Sequence, residues 1–347
     1  MINIKRGGYI LNNKKKITME INATYDLEPS ILNLLLKDNT TKKNIIWATN
    51  NYAERGINYY FESQIYYSLI TGINSEIIKP RVKKTKKEQN ERIKNKAEVF
   101  TPSWVCNSQN NLIDEKWFGY KDVFNKREKE NKWITNLKKI NFINSRTWME
   151  YVNELRMEVS CGEAPYLVSR YDTVTGKLIK VNDRIGLLDR KIRIINENVD
   201  LEEEWYSWII KAYKSIYGYE WQGDNLLLAR ENLLFTFIDN YIYKFSKYPS
   251  LEQQEEISYI ISWNLWQMDG VKFVVPNSCR NEESIVAQLN LFGEEEKEKI
   301  ECYGCKKNNY KKHNGIYSKI MNWHTNRTKL FYKLIEEGNK NEKQWHI

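Results

Sequence analysis

Histidine is the scarcest catalytic side chain in this sequence: only 3 occur in 347 residues, at His313, His324 and His346. Hydrolysis by a serine or cysteine nucleophile beside an imidazole is therefore not expected around the central cysteines. There is no Gly-Lys-Ser/Thr phosphate loop, and no Asp…Glu-x-Lys nuclease set can be assembled. The 15 glycines never fall into the spaced dinucleotide fingerprint, which disfavours NAD. No apolar run approaches the ~18 residues that span a membrane. The opening "MINIKRGGYILNNKKK" has neither the apolar stretch nor the small-residue cleavage site of a secretory leader. A cytoplasmic protein with no membrane partner is expected, its 5 cysteines reduced or metal-bound.

What is present is a large core and segregated charge. Hydrophobic residues make up 41% of the chain, with 12 Trp, 23 Tyr and 11 Phe. The formal net charge is +9, which favours a polyanionic partner, nucleic acid first. The basic run "PRVKKTKKEQNERIKNK" (80–96) contrasts with the acidic "DLEEE" and "EEEKEKIE" further on.

Three regions follow. Residues 1–96 read as an α/β or α+β lead-in ending in the basic segment, a connector or a phosphate-contacting helix. Residues 97–290 carry the α/β pattern. Thr101 is a plausible N-cap with Pro102 at the first helical position. "SRTWMEYVNEL" predicts a helix, "RMEVS" a strand, and "RIGLLDRKIRIINENV" extended or mixed structure. "DLEEEWYSWIIKAYKSIYG" predicts an amphipathic helix with acids in its first turn. "YGYEWQ" predicts a strand, "DNLLLARENLLFTFIDNYIYKF" a long helix opened by Asp224, and "ISYIISWNLWQ" and "VKFVVP" two buried strands. This β–α–β–α–β order predicts a largely parallel sheet covered by helices. Residues 291–347 form a polar tail in which Cys302-Tyr303-Gly304-Cys305, with His313 and His324, has the ligand types of a zinc site. Two reduced structural cysteines are the other reading.

Ligands of such sheets bind at the carboxyl ends of the strands. Those ends are Cys161-Gly162-Glu163, Glu220 and Asn264: a glycine for close approach, an acid for ribose hydroxyls, an amide for an amine.

With those residues in view, the chain resembles N6-adenine DNA methyltransferases of the restriction–modification type, and over about 45–347 the bacterial restriction endonuclease M subunits. The carrying phrases are "AEVFTPSWVCNSQNNLIDEKWFG", "CGEAPYLVSRYDTVTG", "GYEWQGDNLLLARENLL" and "ISWNLWQMDG". The resemblance implies a Rossmann-like S-adenosylmethionine-dependent fold; with only about eighty residues after Asn264, its sheet is expected to be incomplete or completed by another chain. Phe100, Thr101 and Pro102 would cover the cofactor, with the helix N-terminus aimed at its carboxylate and the amides behind it turned towards DNA. Cys161 and Gly162 would line the methionine end, and Glu220 would hold the ribose. The family's Asn/Asp-Pro-Pro-aromatic motif is absent, no two prolines being adjacent. Its nearest counterpart is Trp263-Asn264-Leu265-Trp266-Gln267, where Asn264 would accept from the adenine amine and Trp266 would stack on the base, or both would close a packed strand. The implied partners are double-stranded DNA and a separate restriction or specificity subunit. Two functions follow: an adenine-N6 methyltransferase or modification subunit, or a non-catalytic DNA-binding or assembly subunit on a degenerate scaffold. A zinc-stabilised nucleic-acid module is the third, weaker reading.

Overall fold

The computed structural model describes residues 27–96, 101–289 and 295–340. Phe100 lies outside them. The lead-in contributes α1 (Pro29–Leu36), α2 (Tyr67–Ile70) and α3 (Lys86–Lys96). The central region contains α4 (Ser103–Phe118), β1 (Asn125–Arg127), β2 (Trp133–Thr135), α5 (Trp148–Asn153) and β3 (Arg156–Glu158). It continues through α6 (Leu187–Asn198), α7 (Glu202–Lys214), β4 (Ile216–Glu220), α8 (Gly223–Phe245), α9 (Leu251–Asn264) and β5 (Leu265–Gln267). The last part holds hairpin β6 (Glu282–Leu289) and β7 (Glu295–Ile300), α10 (Tyr303–Lys306), hairpin β8 (Lys319–Asn322) and β9 (Arg327–Leu330), and α11 (Phe331–Lys340).

The fold is mixed α/β around a small parallel sheet, β3–β4–β5 in that order. The two crossovers, α6–α7 and α8–α9, are long enough to return the chain to the same end of the sheet, as parallel pairing requires. Side chains alternate across β4. Ile216 joins the main core with Leu265, while Tyr217 and Tyr219 face a second cluster with Trp266, Met268, Ile320 and Phe331. The tail thus supplies the cover for one sheet face. The lead-in supplies much of the other, since Ile31, Leu35, Trp47 and Ile65 belong to the same core as α6 to α9.

Three stretches differ from their sequence expectation. "RIGLLDRKIRIINENV" is helical from Leu187 to Asn198, with Asp189 Oδ2 accepting from the N–H of the N-cap residue Gly186 at 3.0 Å. "ISYIISWN" is the end of α9, not a strand. Ser250 and Gln253 cap that helix reciprocally, and Ile257, Ile260, Ile261 and Asn264 recur at helical spacing on its buried face. Only Leu265–Gln267 is extended. "VKFVVP" is a turn closed by Asp269, with one bridge from Val274 to Tyr317.

Candidate active site

A cavity of about 1020 Å3 opens at the carboxyl ends of β3 and β4. Its floor is Glu158 to Glu163, one side is Glu220-Trp221-Gln222 with Asn225, and the lead-in closes it through Ala48, Thr49 and Asn50. Thr101 and Asn277 complete the rim.

The floor is a tightly wound loop. Ser160 and Gly162 have φ of 51° and 53°, and Ala48 and Asn277 on the opposite walls have 61° and 58°. Left-handed backbone at non-glycine residues costs about 1–2 kcal/mol each and gathers where surroundings hold a binding geometry. Here the holding groups are visible. The Cys161 N–H donates to Tyr219 O at 2.9 Å, extending the β3–β4 ladder by one step. The Gly162 N–H donates to Glu220 Oε2 at 2.9 Å, and the Gln222 N–H to Glu220 Oε1 at 3.1 Å.

Glu158, Glu163 and Glu220 line the cavity, and among the described residues no Lys or Arg lies in its lining. Burial pushes the Glu158 carboxyl well above its usual range; the Tyr166 and Leu167 amides oppose this and the neighbouring Glu220 adds to it. Burial, reinforced by Glu158 and Glu220, also drives the Cys161 thiol well up, which makes it a wall rather than a nucleophile. Glu163 accepts from the Arg81 N–H at 2.7 Å and from the Tyr171 hydroxyl at 2.6 Å.

The sequence-derived site residues separate in space. Thr101, Cys161, Gly162 and Glu220 all line the cavity. Pro102 is the N-cap of α4, one residue later than Thr101. The first N–H of that helix, at Ser103, donates to Asp172 Oδ2 at 3.0 Å, so its anion is a side chain of the "YDTVTGK" turn. Of the α4 amides, Asn107 and Asn110 are buried, while Gln109 is exposed, its Oε1 accepting from the Tyr166 hydroxyl. Asn107 exchanges hydrogen bonds with Asn125 and accepts from Arg190, and Asn110 donates to Tyr166 O and Ile185 O. The basic run is partly internal too, with Arg92 2.5 Å and Lys84 3.9 Å from the buried carboxylate of Asp224 on α8.

Asn264 and Trp266 lie away from the cavity. Because α9 runs through Asn264, this residue precedes β5 and sits at the opposite end of the sheet from Glu220. Its side chain donates to Tyr213 O and Ile216 O and accepts from Trp323 Nε1. The Trp266 ring is 2% exposed, packed against Phe331 and Tyr219. Neither is placed to meet a substrate base. The residue ending β5 is Gln267, whose amide bonds Ile46 N, Ile46 O and Trp221 O.

In the last part of the chain, Cys302, Cys305 and His313 come together as the sequence suggests, but His324 does not join them. It lies exposed in the β8–β9 turn, its N–H donating to Asn322 Oδ1. The fourth member is Cys279, and the set is compatible with zinc. The Cys279 position carried no signal: it lies 23 residues before Cys302, outside any short ligand spacing.

Among the described residues no helix is long and apolar enough to cross a membrane. Compared with family models, curated proteins and solved structures, the chain matches none of them.

Proposed function

We propose that this chain binds S-adenosylmethionine in the β3–β4 cavity and serves as an adenine-N6 DNA methyltransferase or the modification subunit of a restriction–modification system. One observation carries the cofactor reading: the cavity at the strand ends combines a glycine-floored loop with a strand-terminal acid and has carboxyl groups but no basic side chain among the described residues of its lining. Such a lining offers a phosphate no basic partner and suits a nucleoside whose other end is a sulfonium and an amine, a ligand of net positive charge. Glu220 would take the ribose hydroxyls, and Cys161 and Gly162 would flank the methionyl portion. The net charge of +9 and the resemblance to modification subunits support DNA as the partner.

A second reading has its own support. With Asn264 and Trp266 committed to packing, the amine-binding and stacking roles fall to other groups or are lost. The chain would then be a non-catalytic DNA-binding or assembly subunit.

Isothermal titration of the purified protein with S-adenosylmethionine, repeated on Glu220→Ala, tests the cofactor reading. Micromolar-range binding weakened by the substitution supports it; no binding in a folded sample overturns it. Transfer of labelled methyl groups to mixed DNA by a binding-competent sample separates enzyme from scaffold.

A further inference from the structure

Cys279, Cys302, Cys305 and His313 present four ligand atoms within 4.8 Å of one another. His313 Nδ1 lies 3.6 Å from Cys279 Sγ, 3.7 Å from Cys302 Sγ and 3.6 Å from Cys305 Sγ. One ring nitrogen has a single proton or a single in-plane lone pair, so it cannot hydrogen-bond three sulfurs at once. A common centre does account for three distances within 0.1 Å of one another. With Zn–S near 2.3 Å and Zn–N near 2.05 Å, a tetrahedron places nitrogen and sulfur about 3.6 Å apart.

The backbone around the cluster is shaped for this approach. A Cβ on Gly304 would stand 2.6 Å from the His313 N and 2.7 Å from its Nδ1. One on Gly315 would stand 2.7 Å from Ser278 Oγ and 2.9 Å from Cys279 Sγ. Both contacts are closer than side chains tolerate, so two glycines let the ligands meet. The Asn314 N–H points at Cys302 Sγ at 3.3 Å, the kind of donor that stabilises a metal-bound thiolate.

We propose that these four residues hold one Zn(II) as a closed structural site, which pins the root of the β6–β7 hairpin to the rim of the cavity. The ligands fall on both sides of that hairpin, Cys279 before β6 and Cys302 after β7. Arg280 and Asn314 clasp each other across the same junction, through the Arg280 N–H to Asn314 Oδ1 at 3.1 Å and Asn314 Nδ2 to Arg280 O at 2.7 Å. Two residues before Cys279, Asn277 lines the cavity and donates to Ala48 O at 3.4 Å. Four protein ligands leave no open position, so the ion orders the chain and does not activate water. The assignment holds whether or not the cavity binds S-adenosylmethionine.

The test begins with metal analysis of the full chain purified without chelator, where one zinc per molecule is expected. Replacement by Co(II) should give tetrahedral d–d bands with thiolate-to-cobalt charge transfer. Cys279→Ser should remove about one third of that charge-transfer intensity, one thiolate of three, whereas His324→Ala should leave the spectrum unchanged. Hydrogen exchange of a peptide covering residues 273–280 should rise on chelation and return when Zn(II) is restored. A zinc-free folded protein that gives no tetrahedral cobalt spectrum would overturn the proposal, and so would an unchanged spectrum in Cys279→Ser. Should Cys279→Ser fail to fold, the wild-type cobalt spectrum and His324→Ala still decide.

Discussion

Gly162 and Glu220 are joined by a 2.9 Å hydrogen bond between the N–H of one strand-end loop and the carboxylate that closes the next strand. The bond spans 58 residues of sequence and couples the shape of the cavity floor to the acid on its wall. A left-handed glycine, with φ of 53°, is what lets that N–H face Glu220.

Glu220→Gln keeps the shape of the side chain and removes its charge. Hydrogen bonds to a charged group are worth about 1.5–3 kcal/mol, so affinity for S-adenosylmethionine should fall roughly 10- to 100-fold. Calorimetric titration beside far-UV circular dichroism checks this. Undiminished affinity would place the ribose elsewhere.

Asn264→Ala and Trp266→Ala should act on stability instead of chemistry. The first leaves two carbonyls and the Trp323 indole N–H without their partner, at about 2–4 kcal/mol. The second empties a buried ring site, at about 3–5 kcal/mol. Urea unfolding reads both losses. A stable, cofactor-binding Asn264→Ala that cannot transfer methyl groups would restore the catalytic assignment and refute this one.

Gly223→Ala should be poorly tolerated. Its Cβ would stand 2.0 Å from the carbonyl oxygen of Ile46, a backbone atom of the strap that closes the cavity. Displacing that strap is expected to cost about 3 kcal/mol or more. A melting temperature within a degree of wild type would show that the strap yields freely.

Asp224 predicts an acid limb. Burial alone would raise its carboxyl, but the charges of Arg92 and Lys84, with hydrogen bonds from Arg92 and Tyr52, outweigh burial and hold it at about 2 against 3.8. A carboxyl depressed in the folded state stabilises the fold above its unfolded value and loses that contribution as pH falls through the folded one. Roughly 2 kcal/mol should therefore disappear between about pH 4 and pH 2. Asp224→Asn should flatten this limb and be less stable at pH 7, where it leaves Arg92 without its carboxylate. Parallel pH profiles for the two proteins in denaturant titrations would contradict the linkage.

The sequence by itself determined what depends on residues a few positions apart. The capped helix at Thr147–Glu150, the acid-led helix from Glu202, the strands around Met157 and Tyr219, and the pairing of Gly162 with Glu220 as strand-end residues all follow from caps, periodicity and β–α–β order. An apolar run carries less information. "ISYIISWNLWQ" suits a buried strand and a buried helix alike, and the Ser250–Gln253 cap that decides for helix lies upstream of it. Only the tertiary structure decided that the Asn264 side chain is committed to Tyr213, Ile216 and Trp323, that Asp172 caps α4, and that Phe331 covers the sheet. It also decided that Cys279 replaces His324 beside Cys302, Cys305 and His313. Each of these relations joins residues that the chain brings together only after long crossovers, and local propensity has no term for such a return.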